Sequence, residues 1–168
     1  FDLIGHGGLD LNAAGDRVVF SSSAFLNRNY VRVYEYGGGS WSQVGADITG
    51  ESTSQFGMAA SLSLNASGDI LSAGSPAYDA GGTDVGRLNI YQYTGGSNWS
   101  DLGQPIDGDS VQDGWGYSAS LNGDGTKVVG GASLPYSDLG YAKAYEYDGG
   151  TWSQMGSNIT GSGGFAIS

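Results

Sequence analysis

The sequence predicts an all-β chain made of three tandem four-stranded antiparallel units, and three observations predict it. The segments WSQVGADITG (41–50), WSDLGQPIDG (99–108) and WSQMGSNITG (152–161) align without a gap, at spacings of 58 and 53 residues. Each follows a block ending in Tyr-x-Tyr: NYVRVYEY (29–36), GRLNIYQY (86–93) and GYAKAYEY (140–147). The 32 glycines among 168 residues have no period of three and come with only three prolines, so they mark tight turns between short strands rather than a collagen helix.

The elements of one unit follow in order. The first strand is built of small residues, as in FGMAASL (56–62) and WGYSASL (115–121). A turn closes it, NAAGD (12–16), NASGD (65–69) or NGDGT (122–126), and a short Val/Ile/Leu strand leads out of that turn. The third strand is the Tyr-x-Tyr block. Its tyrosines alternate with Val33, Ile90 and Ala144, the period of a strand packed on both faces. A Gly-rich hairpin then leads into the Trp strand. The taper from Gly, Ala and Ser in the first strand to Trp in the last is that of β-propeller blades, whose innermost strands crowd the axis.

The boundaries are 1–52, 53–110 and 111–162 for the three blade-like repeats, with 163–168 as the start of a further one, because Phe165 stands near a first-strand position. Three blades fall short of the four to eight of a closed ring, so an incomplete ring is expected in this chain. Other protein chains or further blades are the expected partners, completing a propeller or a filament.

The repeats resemble FG-GAP-like repeats of extracellular β-propellers, related in pattern to integrin α-subunit heads. Phe56-Gly57 and Trp115-Gly116 stand where that pattern has Phe-Gly, and Ala73-Gly74-Ser75-Pro76 where it has Gly-Ala-Pro. In the first unit Ile4-Gly5 replaces Phe-Gly. The resemblance implies a propeller and an extracellular or cell-surface location. Integrin-type blades often hold calcium in an Asp-x-Asp-x-Asp-Gly loop between the first two strands. The corresponding NAAGD, NASGD and NGDGT carry too few carboxylates for calcium's six to eight oxygens, so no metal is expected.

Six Lys and Arg against seventeen Asp and Glu leave a net charge of −11, which disfavours nucleic acid and anionic membrane surfaces. With no cysteine there is no disulfide framework or thiolate metal site. No apolar run is long enough for a membrane helix, and residues 1–10 lack the pattern of a signal peptide. No cofactor is expected.

No catalytic residue is assigned. A Ser-His-Asp set needs a histidine, and the one present, His6, sits in the turn-like IGHGG without a GxSxG motif elsewhere. Asp107, Asp109 and Asp113 form the densest carboxylate cluster and read as solvated loop acids. The recurring Trp41, Trp99 and Trp152 read as packing residues rather than sugar platforms. Three Asn-x-Ser/Thr sequons make Asn98, Asn65 and Asn158 glycosylation candidates, in that order. These features together read as a non-catalytic extracellular binding or structural module of a surface, adhesive or filament-forming protein, with no enzyme activity. The alternative is a carbohydrate-binding, lectin-like propeller, for which glycans would be ligands.

Overall fold

The structure, a computed structural model, describes residues 4–23, 29–50, 61–132 and 140–161, with backbone alone for residues 4–6, 23 and 29. The first sheet holds β1 (Ile4–Leu11), β2 (Arg17–Ser23), β3 (Asn29–Gly37) and β4 (Ser40–Thr49) in that order. The second holds β5 (Leu62–Leu64), β6 (Ile70–Ser75), β7 (Arg87–Gly95) and β8 (Asn98–Asp101), with β9 (Ile106–Asp107) beside β7. The third holds β10 (Trp115–Leu121), β11 (Lys127–Ala132), β12 (Tyr141–Tyr147) and β13 (Trp152–Gln154), with β14 (Ile159–Thr160) beside β12. Every strand pair within the sheets is antiparallel, and the described residues contain no helix. The chain is all-β, and its described residues form three propeller-blade-like sheets without a closed ring. Phe56-Gly57 and the segment 163–168 lie outside the described residues.

The turn between the first two strands is the same device three times. The side-chain oxygen of Asn12 accepts the backbone N–H of Asp16 and Arg17, that of Asn65 the N–H of Asp69 and Ile70, and that of Asn122 the N–H of Lys127. Asparagine suits this place because its short amide caps the turn it sits in. The glycine three residues on donates its N–H back to the asparagine carbonyl at 3.0 to 3.1 Å, with φ of 72 to 75°.

The expected ten-residue Trp strand is continuous only in the first sheet. In the second and third it breaks into β8 plus β9 and β13 plus β14, around Gly103 and Gly156, whose φ values are 77° and 72°. Gly45, at 76°, marks the same bulge inside β4. In the second sheet Pro105 also has no N–H to give the ladder.

Two apolar cores lie between successive blades. Val19, Val31, Val33, Val44 and Ile48 of the first blade meet Leu62, Leu64, Leu71 and Ala73 of the second. Ile70, Leu88, Ile90 and Ile106 of the second meet Trp115, Val128, Tyr145 and Trp152 of the third. At each interface the Trp of the later blade docks on the bulge glycine of the earlier one. The Trp99 indole N–H donates to the Val44 carbonyl at 2.9 Å, and that of Trp152 to the Leu102 carbonyl at 2.7 Å. Nearer the axis the backbones touch. A β-carbon on Gly74 would stand 1.9 Å from the Gly116 carbonyl oxygen, so the Ala-Gly-Ser-Pro motif of one blade and the Trp-Gly motif of the next need glycine where they meet.

Candidate functional site

The link between the second and third blades, residues 108–114, gathers the charged groups. Asp113 is buried, and one of its carboxylate oxygens accepts the N–H of both Asp109 and Ser110 at 2.8 Å, curling the link on itself. The link lies against the loop before β7: Gln112 donates its N–H to the Thr83 carbonyl, and Gly114 to that of Asp84. Gln112 and Asp84 have φ of 62° and 52° and are the two non-glycine residues with positive φ among the described residues. Backbone strain is thus concentrated at this pair of loops.

From β12, Tyr141 and Lys143 enter the link from below. The Tyr141 hydroxyl donates to the same Asp113 oxygen at 2.6 Å, and its ring stacks on Trp115 with centroids 5.8 Å apart. Burial, and then the bond to Asp113, push the Tyr141 phenol well above its ordinary range. The Lys143 side chain is 2% exposed and pairs its ammonium with Asp109. That ammonium lies 5.1 Å from the Trp115 ring centroid and 5.0 Å from that of Tyr141, where both rings attract it. Lys143 faces Gly130 across the ladder, where a β-carbon would stand 2.7 Å from the Trp115 ring. The Trp115 indole therefore has room there only because that residue is glycine.

Asp109 is the outward-facing member, with its side chain 51% exposed. Its second oxygen accepts the Asn158 amide at 3.2 Å, and Asn158 in turn accepts from Gln154 at 3.0 Å. Asp107 turns away to clasp Arg87 with both oxygens at 2.5 and 2.9 Å. Of the three acids read as solvated loop residues, Asp107 and Asp109 are exposed while paired with Arg87 and Lys143, and Asp113 corrects the reading: it is buried as an intramolecular acceptor.

The first blade shows how the third departs from its repeat. Arg32, the counterpart of Lys143, lies 4.1 Å from the Tyr30 ring and clasps Asp47 with two bonds of 2.7 Å. The hydrogen bond to Asp47 raises Arg32 further above its ordinary value and lowers Asp47 below its own. In the third blade Asn158 replaces that aspartate, and Asp109 from the link supplies the missing carboxylate. Sequence reasoning passed over Lys143 and Tyr141. The available signal was a cation between Ala142 and Ala144, in a strand expected to be packed on both faces.

The other sequence candidates are dispersed. Asn98 begins β8 and is exposed, and Asn158 is exposed on the Trp segment. Asn65 is buried, its amide donating to Ser67 at 3.0 Å and Asp69 at 2.8 Å, so a glycan there would displace both bonds. His6 lies on β1, its side chain outside the described part. Near the axis, the ends of β1, β5 and β10 enclose a concavity of about 430 Å³ lined by Asp10, Leu64, Asn65 and Asn122 among others. Asp10 is held there by the N–H groups of Leu11 and Leu64, each at 2.8 Å.

No known protein family and no curated protein matches the sequence. Solved structures do match. One, from Bacteroides uniformis, is described as a "putative 6-phosphogluconolactonase": TM-score 0.57 at 14% identity, over 90% of this chain and 39% of that one. A protein of the same description from Bacteroides fragilis gives 0.58 at 12%, over 90% and 38%. A prolyl endopeptidase structure gives 0.59 at 12%, over 95% and 21%. The chain thus spans about two fifths of the lactonase-described chains it matches.

At these identities the likeness carries the fold alone. It nevertheless corrects the reading as a non-catalytic extracellular binding or structural module, its lectin-like alternative, and the expectation of no enzyme activity. That reading leaned on the missing Ser-His-Asp set, whereas the solved structures sharing this fold carry the names of enzymes at 12 to 14% identity. What the chain shares with them is the β-propeller-like blade architecture.

Proposed function

We propose that this chain is a three-blade portion of a hydrolytic propeller that acts on small, uncharged cyclic esters or related carbonyl compounds by acid–base chemistry at Asp109. One observation carries the reading: a half-exposed carboxylate on a strained link is paired with a lysine that is itself almost wholly buried. In this reading Asp109 takes a proton from the water whose oxygen bonds to the carbonyl carbon. The ring carbon–oxygen bond then breaks, and the leaving oxygen takes the proton. Lys143, Tyr141 and Asp113 are positioning residues that fix the carboxylate.

The choice of an uncharged substrate follows from the charge distribution. Each lysine and arginine among the described residues already sits in an ion pair, namely Arg17–Glu35, Arg32–Asp47, Arg87–Asp107, Lys127–Glu146 and Lys143–Asp109. None is free to receive a phosphoryl group, and a net charge of −11 repels one. The FG-GAP-like kinship of the repeats belongs to the same proposal, supported by the Gly74 and Gly116 contact of its two motifs.

The test is hydrolysis of a panel of sugar lactones and simple esters, each with its phosphorylated counterpart. Turnover of the uncharged members is expected, falling by about a hundredfold or more in Asp109→Asn. Circular dichroism of the variant must show it folded. No turnover of any panel member, or turnover unchanged in that variant, would contradict the proposal.

A further inference from the structure

We infer that a second copy of this chain docks head to tail on the first, its Tyr36 and Trp41 entering the groove beside Gly156. The two interfaces inside the chain are the template. In each, an aromatic pair on the later blade packs over the bulge glycine of the earlier one. Tyr93 and Trp99 cover Gly45, where a β-carbon would meet the indole at 2.6 Å, and Tyr147 and Trp152 cover Gly103 at 2.8 Å. The three aromatic pairs are nearly superposable in spacing: 5.3 Å for Tyr36 and Trp41, 5.3 Å for Tyr93 and Trp99, and 5.2 Å for Tyr147 and Trp152. Only the first covers no glycine among the described residues. Trp41 is 47% exposed where Trp152 is 4% exposed.

The opposite face of the array is the matching socket. Gly156 repeats the φ of Gly45 and Gly103, but nothing lies within 4 Å of its β-carbon position. Beside it runs a groove of about 350 Å³ that includes Val129, Ala144 and Met155. These three occupy, strand for strand, the places of Val19, Val33 and Val44, the row on which the second blade is seated. Ile159 makes the same point. It is 64% exposed, whereas its counterparts Ile48 and Ile106 are buried. On the ridge side Leu9 and Leu11 are exposed, and their counterparts Leu62 and Leu64 are buried. Each face thus exposes the apolar side chains that its counterparts inside the chain bury, and the two faces are complementary halves of one interface.

The stoichiometry follows from ring size. Two copies supply six blades, within the four to eight of closed propellers, and three would supply nine. A closed pair uses both faces of both copies, through two heterologous contacts. In each, the Trp41 indole N–H is placed to donate to the partner's Met155 carbonyl, as Trp99 and Trp152 do to Val44 and Leu102.

Light scattering on the 168-residue chain across the micromolar range tests this. The expected mass is twice 17.2 kDa. Trp41→Ala and Ile159→Lys are each expected to weaken association by at least about tenfold, since each removes a central apolar anchor at an exposed position that the fold itself does not need. Mixing the two variants should restore association through the one intact ridge and socket, which a contact of like face on like face would not do. A monomer at every concentration overturns the inference and assigns both faces to further blades of a longer polypeptide. A dimer indifferent to both variants, or a mixture that stays monomeric, overturns it as well.

Discussion

Trp152 sits so close over Gly103 that a β-carbon there would meet its indole Cδ1 at 2.8 Å. Gly156 occupies the same place one blade later, with nearly the same φ and open space around it. Gly103→Ala should therefore cost about 2 to 4 kcal/mol, from left-handed backbone strain plus overpacking. Gly156→Ala should cost only the strain, about 1 to 2 kcal/mol. Urea unfolding of both variants in the monomeric Ile159→Lys background checks the difference; equal losses would mean that the indole does not press on Gly103.

The buried Lys143 and half-exposed Asp109 predict an asymmetry. Asp109→Ala strands a cation that is 2% exposed and should destabilise by about 3 kcal/mol, the low end of the range for breaking a buried pair. Lys143→Met keeps the apolar stem against Trp115 and Tyr141 and leaves a carboxylate that water can reach, so its loss should stay below about 1.5 kcal/mol. Denaturant midpoints measure both. A larger loss in Lys143→Met would reverse the assignment of the costly partner.

Asn65 predicts the largest loss among the three turn asparagines. Its buried amide accepts from two backbone N–H groups and donates to Ser67 and Asp69, so Asn65→Ala should cost about 2 to 3 kcal/mol. Asn122→Ala, which frees one backbone N–H, should cost about 1 kcal/mol. Thermal melts of the two variants decide the order.

Stability should decline at both ends of the pH scale for separable reasons. The hydrogen bond from Arg32 depresses Asp47, so its contribution is complete above the unfolded carboxylate range near pH 4 and is lost as pH falls through the lower folded value. Burial raises Tyr91 and Tyr141, so the folded state keeps protons that the unfolded chain releases near pH 10. Their contribution is complete below that pH and is lost as pH rises toward the folded values. Asp47→Asn should flatten the acid limb and leave the alkaline limb unchanged in a stability profile.

The strand order, the asparagine turns and the pairing of each Tyr-x-Tyr strand with its Trp strand are legible because local rules govern them: alternation, turn chemistry and short hairpins. The site is not legible in that way. Asp109 and Lys143 are 34 residues apart and meet only because the second and third blades pack face to face. Asp113 looks like a loop acid until Tyr141 closes over it. Trp41 and Trp152 both open a Trp-Ser-Gln segment and differ more than tenfold in exposure, because burial is decided by whether another blade stands in front. Asn65 matches a sequon as well as Asn98 does, and only the turn geometry separates the buried amide from the exposed one.

Blade docking through a tryptophan on a bulge glycine underlies both the packing of this chain and its open faces, and hydrogen exchange of the indole N–H groups measures it most directly. In the Ile159→Lys variant, the Trp99 and Trp152 indoles should exchange slowly, since each donates to a carbonyl of the preceding blade, while that of the exposed Trp41 should exchange fast. Exchange of Trp99 or Trp152 as fast as that of Trp41 would contradict the account.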